Sequence, residues 1–167
     1  MSVGEHKAQA PATIGCYVLT ISDTRTADND TSGRAIRELI AAFGHSVSGF
    51  DIVRDEPLDV VARVRDRLAD PRTQAIITTG GTGVTSRDST YEAVEGLLEK
   101  RLVGFGELFR MLSFQEIGAA AMLTRATAGT ASRRAIFVLP GSENAVRLAM
   151  TRLILPELGH VVQQVTK

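Results

Sequence analysis

Apolar positions along the chain follow two periods that alternate. Uninterrupted apolar runs at residues 14–21 (Ile-Gly-Cys-Tyr-Val-Leu-Thr-Ile), 75–79 and 135–139 are short and β-branched, as strands buried on both faces of a sheet should be. Residues 46–53 alternate more and give the second strand in chain order. Between these runs the period changes to three and four. Ile36, Leu39, Ile40 and Phe43 follow a helix start at Thr31 or Ser32 and precede Gly44. Val60, Val61, Val64 and Leu68 follow Pro57, which is placed to open a helix, and Asp70-Pro71 closes it. Val94, Leu97 and Leu98 sit on a helix over about residues 89–100, which Ser89-x-x-Glu92 opens with a capping-box pattern. Val146, Met150, Leu153 and Ile154 mark a last helix over residues 142–158, bent or ended by Pro156.

Strands alternating with helices predict an α/β fold of three layers, α/β/α, with a mostly parallel central sheet and right-handed crossovers. Residues 1–13 are small and polar and read as a flexible N-terminal tail. Residues 14–167 form a single domain, because no linker divides them and 167 residues suit one core. Residues 102–122 stand out: Phe105, Phe109 and Phe114 place three of the six phenylalanines within ten residues, next to Met111. Either this helix belongs to the core of the subunit or it lines a subunit interface, where aromatic and Met residues are enriched. Residues 124–133 are small and polar and suggest no element.

Composition narrows the function. Nineteen basic residues balance nineteen acidic ones, so no overall field argues for nucleic acid or a membrane surface. No stretch of about 18 apolar residues is present to span a bilayer. The one cysteine, Cys16, can form neither an internal disulfide nor a Cys-x-x-Cys metal site, and it lies in an apolar run as a buried core residue. These features suit a cytoplasmic protein. His6, His45 and His160 are scattered and read as surface residues.

In open parallel sheets ligands bind outside the carboxyl ends of the strands. That rule selects Ser22-Asp23-Thr24, Arg54-Asp55, residues 79–88 and Pro140-Gly141-Ser142. The third of these is the most distinctive: Thr79-Gly80-Gly81-Thr82-Gly83 breaks the buried strand into glycines that admit positive φ and close backbone approach. It lacks the Gly-Lys-Ser/Thr of a P-loop, and Ser86 stands where a dinucleotide fingerprint needs its third glycine. A sharp structural turn and a phosphate cradle both remain open for it. Asp55 and Asp88 lie on separate strand-end loops and could meet at one edge to hold Mg²⁺ beside a ligand's phosphates. The plainer alternatives are a helix-cap role for Asp88 and a solvated Asp55. Asp28 and Asp30 read as solvated loop residues. Arg87 and Arg125 are the arginines whose neighbours suggest a site.

Taken in order, Val18-Leu19-Thr20-Ile21-Ser22-Asp23-Thr24, Asp30-Thr31-Ser32-Gly33, Thr78-Thr79-Gly80-Gly81-Thr82-Gly83, Arg87-Asp88 and Leu139-Pro140-Gly141-Ser142 resemble the MogA/MoaB family of molybdenum cofactor biosynthesis proteins over roughly residues 14–160. The run at residues 104–118 is most similar to the MoaB branch. The resemblance implies a domain that binds molybdopterin and assembles as a homotrimer or homohexamer, which moves Phe105, Phe109, Met111 and Phe114 toward an interface. It further implies adenylylation of the terminal phosphate of molybdopterin by Mg²⁺ and ATP with release of pyrophosphate, or, as the alternative, a non-catalytic molybdopterin-binding scaffold. Asp55 and Asp88 match the catalytic, metal-holding aspartates. Ser22, Asp23, Thr79, Gly80, Gly81, Thr82, Gly83, Thr124, Arg125, Pro140, Gly141 and Ser142 match the substrate and phosphate site. Two departures are visible: Leu123-Thr124-Arg125 has threonine where the family has serine, and Tyr91 stands where the family has proline.

Overall fold

A computed structural model describes residues 2–8 and 10–167. The side chain of His6 lies outside the described set, so its expected surface role is not assigned. The chain runs α1 (Val3–Ala8), β1 (Gly15–Ile21), α2 (Thr31–Ala42), β2 (Ser46–Val53), α3 (Pro57–Leu68), β3 (Ala75–Thr79), α4 (Thr90–Glu95), β4 (Lys100–Arg101), α5 (Val103–Ile117), β5 (Thr127–Ala131), β6 (Arg134–Leu139), α6 (Glu143–Ala149) and α7 (Leu155–Thr166). A 3₁₀ turn (Gly118–Leu123) follows α5, and a π turn (Met150–Ile154) joins α6 to α7. The segment expected as an N-terminal tail thus carries the short helix α1.

One six-stranded sheet has the order β2-β1-β3-β6-β5-β4. Its first four strands are parallel, and β5 and β4 continue it antiparallel. The antiparallel end was not legible as strands: β5 is Thr-Ala-Gly-Thr-Ala, too small and polar to show an apolar run, and β4 is two exposed charged residues. The helix expected to reach Lys100 stops at Glu95 so that Lys100 can pair with Thr130.

Alternation along the parallel strands sends side chains to both faces, and each face is covered by helices. On one face Cys16, Val18, Ala75, Ile77, Phe137 and Leu139 pack with Ile36, Ile40, Phe109, Val146, Ile154 and Leu158. On the other, Tyr17, Leu19, Ile21, Ile76, Ile136 and Val138 pack with Val60, Val64 and Val94. This is the three-layer α/β arrangement the sequence pattern predicts. Burial pushes the Cys16 thiol up to about 12, so it is an inert core residue.

Two helical details differ from expectation. Phe43, placed on the apolar stripe of α2, is exposed past the helix end. Pro156 does not end the last helix. The amide of Leu155 bonds five residues back to Met150, and this wider π register sets Pro156 into the first turn of α7, where its missing N–H breaks no bond.

Register positions the site. Ile21 is level with Val53, Thr20 with Thr79, and Thr79 with Leu139, so the carboxyl ends of β2, β1, β3 and β6 reach one edge together. From β1 the chain crosses to β2 on one side and then to β3 on the other. The crevice between β1 and β3 is therefore the topological switch point of the sheet.

Candidate functional site

At that switch point the glycine turn leaves β3. Gly80 has φ +98°, and a Cβ there would lie 2.1 Å from the carbonyl oxygen of Ile21; the next residue, Gly81, has φ +67°. The close approach of β3 to the end of β1 therefore requires glycine at position 80 on two counts. The turn is also tied to the β6 end: Thr79 Oγ1 donates to the carbonyl of Pro140 (2.7 Å), and Ser32 Oγ at the start of α2 donates to the carbonyl of Gly141 (2.7 Å).

These ties surround a cavity of about 130 Å³ lined by Thr20, Ser22, Arg25, Asp30, Ser32, Thr79, Gly80 and Gly141. Of the site residues named from sequence, Ser22, Thr79, Gly80 and Gly141 line it. Thr20, Arg25, Asp30 and Ser32 were missed as lining residues. Asp30 is not solvated as expected: it is buried, caps α2 by accepting the N–H of Gly33 (3.0 Å), and accepts a hydrogen bond from Thr20 Oγ1 (2.8 Å). Its position one residue before the expected caps Thr31 and Ser32, followed by Gly33, was the available signal. Ser142 caps α6, accepting from Ala145 N (3.2 Å), and so serves the helix at the cavity's margin.

The two aspartates named as catalytic flank the same turn. A Cβ on Gly81 would lie 3.1 Å from Asp55 Oδ1, and one on Gly83 would lie 2.5 Å from Asp88 Oδ2. Asp55 is buried, and its Oδ1 accepts from Thr90 Oγ1 (2.8 Å) and Ser89 Oγ (3.4 Å). Asp88 is half-buried, and its Oδ2 accepts from Thr85 N (3.1 Å) and Thr85 Oγ1 (2.5 Å). The capping box expected at Ser89 is not formed. Ser89 makes no side-chain cap bond and turns to Asp55, and Glu92 turns to Arg125.

Arginines lock the loops around the pair. Arg87 forks onto the carboxylate of Asp23 (3.0 and 3.1 Å) and reaches Glu56 (2.8 Å), joining the loops after β1, β2 and β3. Asp23 in turn accepts the N–H of Asp55 (3.2 Å). The hydrogen bond from Arg87 holds the Asp23 carboxyl below the usual carboxylate range. Arg125 donates to the carbonyls of Thr82 (3.1 Å) and Gly83 (2.6 Å), pairs with Glu92, and lies 4.9 Å from the centre of the Tyr91 ring. Its bond to Glu92 holds that carboxyl low as well. Thr124 lies beside Arg125 at the end of the 3₁₀ turn.

A mostly parallel open sheet with a glycine turn, two flanking carboxylates and a polar cavity at its switch point has the layout of an α/β ligand-binding domain. Residues 17–160 match the family model described as "Probable molybdopterin binding domain", and the chain belongs to that family. Within it, the chain is 52% identical over 168 residues to molybdenum cofactor biosynthesis protein B of Halalkalibacterium halodurans, spanning 100% of this chain and 99% of the relative. It is 47% identical to the protein of the same name from Bacillus subtilis, again over 100% and 99% of the two chains. Among solved structures, one molybdenum cofactor biosynthesis protein B superposes with a TM-score of 0.91 at 49% identity, over 94% of this chain and 98% of that one. The tungsten cofactor synthesizing protein MoaB from Pyrococcus furiosus gives 0.84 at 35% identity, over 95% and 100%.

Proposed function

We propose that this protein binds molybdopterin and adenylylates its terminal phosphate with Mg·ATP. A phosphate oxygen of molybdopterin attacks the α-phosphorus of ATP. The new P–O–P linkage forms as the bond to the β-phosphate oxygen breaks, and pyrophosphate leaves with the electron pair. The observation that carries this reading is the placement of Asp55 and Asp88 on either side of one glycine turn.

The residues present fit a magnesium ion. Two carboxylates, Asp55 and Asp88, flank the same turn, and magnesium is commonly held by one or two carboxylates with substrate phosphates completing its shell. Asp55 and Asp88 would hold it, and when bound it neutralises charge that builds on the leaving pyrophosphate. The protein's own part is orientation. Thr90 and Ser89 fix the Asp55 carboxylate through Oδ1, and Thr85 fixes Asp88 through Oδ2. The glycine turn and the Ser22, Thr79 and Gly141 cavity hold the phosphate-bearing ligand, with in-line positioning doing most of the catalytic work.

Assembly as a homotrimer or homohexamer through α5 belongs to the same reading, although Phe109 does not face outward. Phe109 is 0% exposed and belongs to the subunit's own core, and it stacks on Phe105, which is half-buried against that core and meets Phe137 edge-on. Met111 and Phe114, at 51% and 61% exposure, stay available for a partner copy, together with Leu108 and Ile117. No helix among the described residues is long and apolar enough to cross a membrane, and a cytoplasmic site of action suits cofactor assembly with one buried thiol.

Incubation with molybdopterin, ATP and Mg²⁺ should give adenylylated molybdopterin and pyrophosphate, and Asp88→Ala should abolish turnover with an unchanged circular dichroism spectrum. Tight molybdopterin binding without any ATP-dependent product would instead identify a scaffold.

A further inference from the structure

Arg125 is placed by its sequence neighbours as a phosphate ligand, but its hydrogen bonds are directed elsewhere. Nε donates to the carbonyl of Thr82 and Nη2 to the carbonyl of Gly83, both within the glycine turn. Nη1 pairs with Glu92, and the guanidinium lies over the Tyr91 ring at 4.9 Å. Glu92 and Tyr91 both stand on α4, so one helix holds the guanidinium by charge on one side and by a ring face on another.

Peptide geometry gives this arrangement a consequence. In a trans peptide unit the C=O and the following N–H point in opposite directions, and no cis bond occurs among the described residues. With the Thr82 and Gly83 carbonyls turned to Arg125, the N–H groups of Gly83 and Val84 point away from it. Successive amides turned to one side make a concave donor set for an anion. We propose that Arg125 is a positioning residue: braced by Tyr91 and Glu92, it pins the two carbonyls and thereby presents the Gly83 and Val84 amides to the ligand's phosphate. The inference rests on the reading that the glycine turn binds that phosphate.

Arg125→Lys keeps the charge but cannot bridge two carbonyls and a carboxylate with a planar fork. Tyr91→Leu leaves Arg125 in place and removes its ring support. Backbone ¹⁵N relaxation at Gly83 and Val84, and titration with molybdopterin, are read on both variants and on the wild type. Arg125→Lys is expected to make both amides more mobile and to weaken molybdopterin binding by about tenfold, with Tyr91→Leu smaller in the same direction. Lost binding with amides as rigid as in the wild type would make Arg125 a direct ligand and overturn the inference, as would a lysine variant that matches the wild type in both readouts. Should the wild-type protein itself not bind molybdopterin, the proposed function fails, and relaxation in the lysine variant alone decides whether Arg125 orders the turn.

Discussion

Arg87 and Asp23 stand 64 positions apart in the chain, yet the guanidinium of one forks onto the carboxylate of the other at 3.0 and 3.1 Å. The same carboxylate accepts the backbone N–H of Asp55. A residue of the β3 loop therefore sets the backbone of a residue in the β2 loop through an aspartate of the β1 loop. Groups that orient a metal-holding side chain without touching the metal change affinity or activity by roughly 10- to 100-fold when removed.

Arg87→Gln should accordingly lower adenylylation by about tenfold or more. Stability should move little, because Arg87 is half exposed and its pairs are screened by solvent. Steady-state kinetics with a thermal melt on the same preparation checks both halves. A variant that melts early and loses activity in proportion would show a role in folding instead.

Two positive-φ glycines separate backbone strain from close approach. Gly44 has φ +82° and open space where a Cβ would stand, with nothing within 4 Å, whereas Gly80 has φ +98° with the Ile21 carbonyl 2.1 Å away. Gly44→Ala should cost about 1–2 kcal/mol, the expense of the left-handed backbone alone. Gly80→Ala should cost roughly 2–4 kcal/mol, because β3 must also move away from β1. Urea denaturation gives both values. Molybdopterin binding should be lost in the second variant only, since Gly80 lines the cavity and Gly44 lies at the far end of α2.

The central parallel strands and their helices were legible because burial on both faces leaves uninterrupted β-branched runs, and the strand-end rule then selected the edge that carries the candidate site. What escaped was decided by partners distant in the chain. β5 has no apolar signature because small residues suffice where Gly129 packs against the carbonyl of Lys100, where a Cβ would lie 2.4 Å away. Asp30 reads as solvent-facing until Thr20 and Gly33 are brought to it. Ser89 and Glu92 fit a local cap by spacing, yet Asp55 and Arg125 outcompete it, since a charged partner makes the stronger bond. Tyr91, a departure from the family pattern, acquires a purpose only once Arg125 lies over its ring.

His45 gives the fold a pH dependence. Its Nδ1 accepts the N–H of Ile14 (3.2 Å), which the imidazolium could not do, and burial holds its pKa below the ordinary 6.5. The unfolded chain thus takes up a proton at a pH where the native ring is still neutral. The stability this supplies is present above 6.5 and is lost as the pH falls below that value through the native one. Asp70 acts in a separate window. Arg72 holds its carboxyl at about 2 against 3.8, so its contribution is intact above 3.8 and fades only as the pH drops toward 2. His45→Asn keeps an acceptor without titrating, and should flatten the fall in unfolding free energy that begins below pH 6.5 while leaving the acid-limb loss in place. Denaturant titrations at a series of pH values measure both limbs.

Neighbouring aromatic residues on α5 should respond to substitution in different ways. Phe109 is enclosed by the sheet-facing core and stacked on Phe105, so Phe109→Ala removes packing that the subunit cannot recover, at about 3–5 kcal/mol. Phe114 lies on the opposite side at 61% exposure, beside Met111 at 51% and Ile117 at 57%, an apolar strip without cover from its own chain. A lysine there meets water in the isolated subunit and an apolar surface in an assembly. Phe114→Lys should therefore convert the proposed oligomer to smaller species by light scattering, with far-ultraviolet dichroism unchanged, whereas Phe109→Ala should lower the melting temperature at any concentration. A Phe114→Lys protein with the mass of the wild type would remove α5 from the interface.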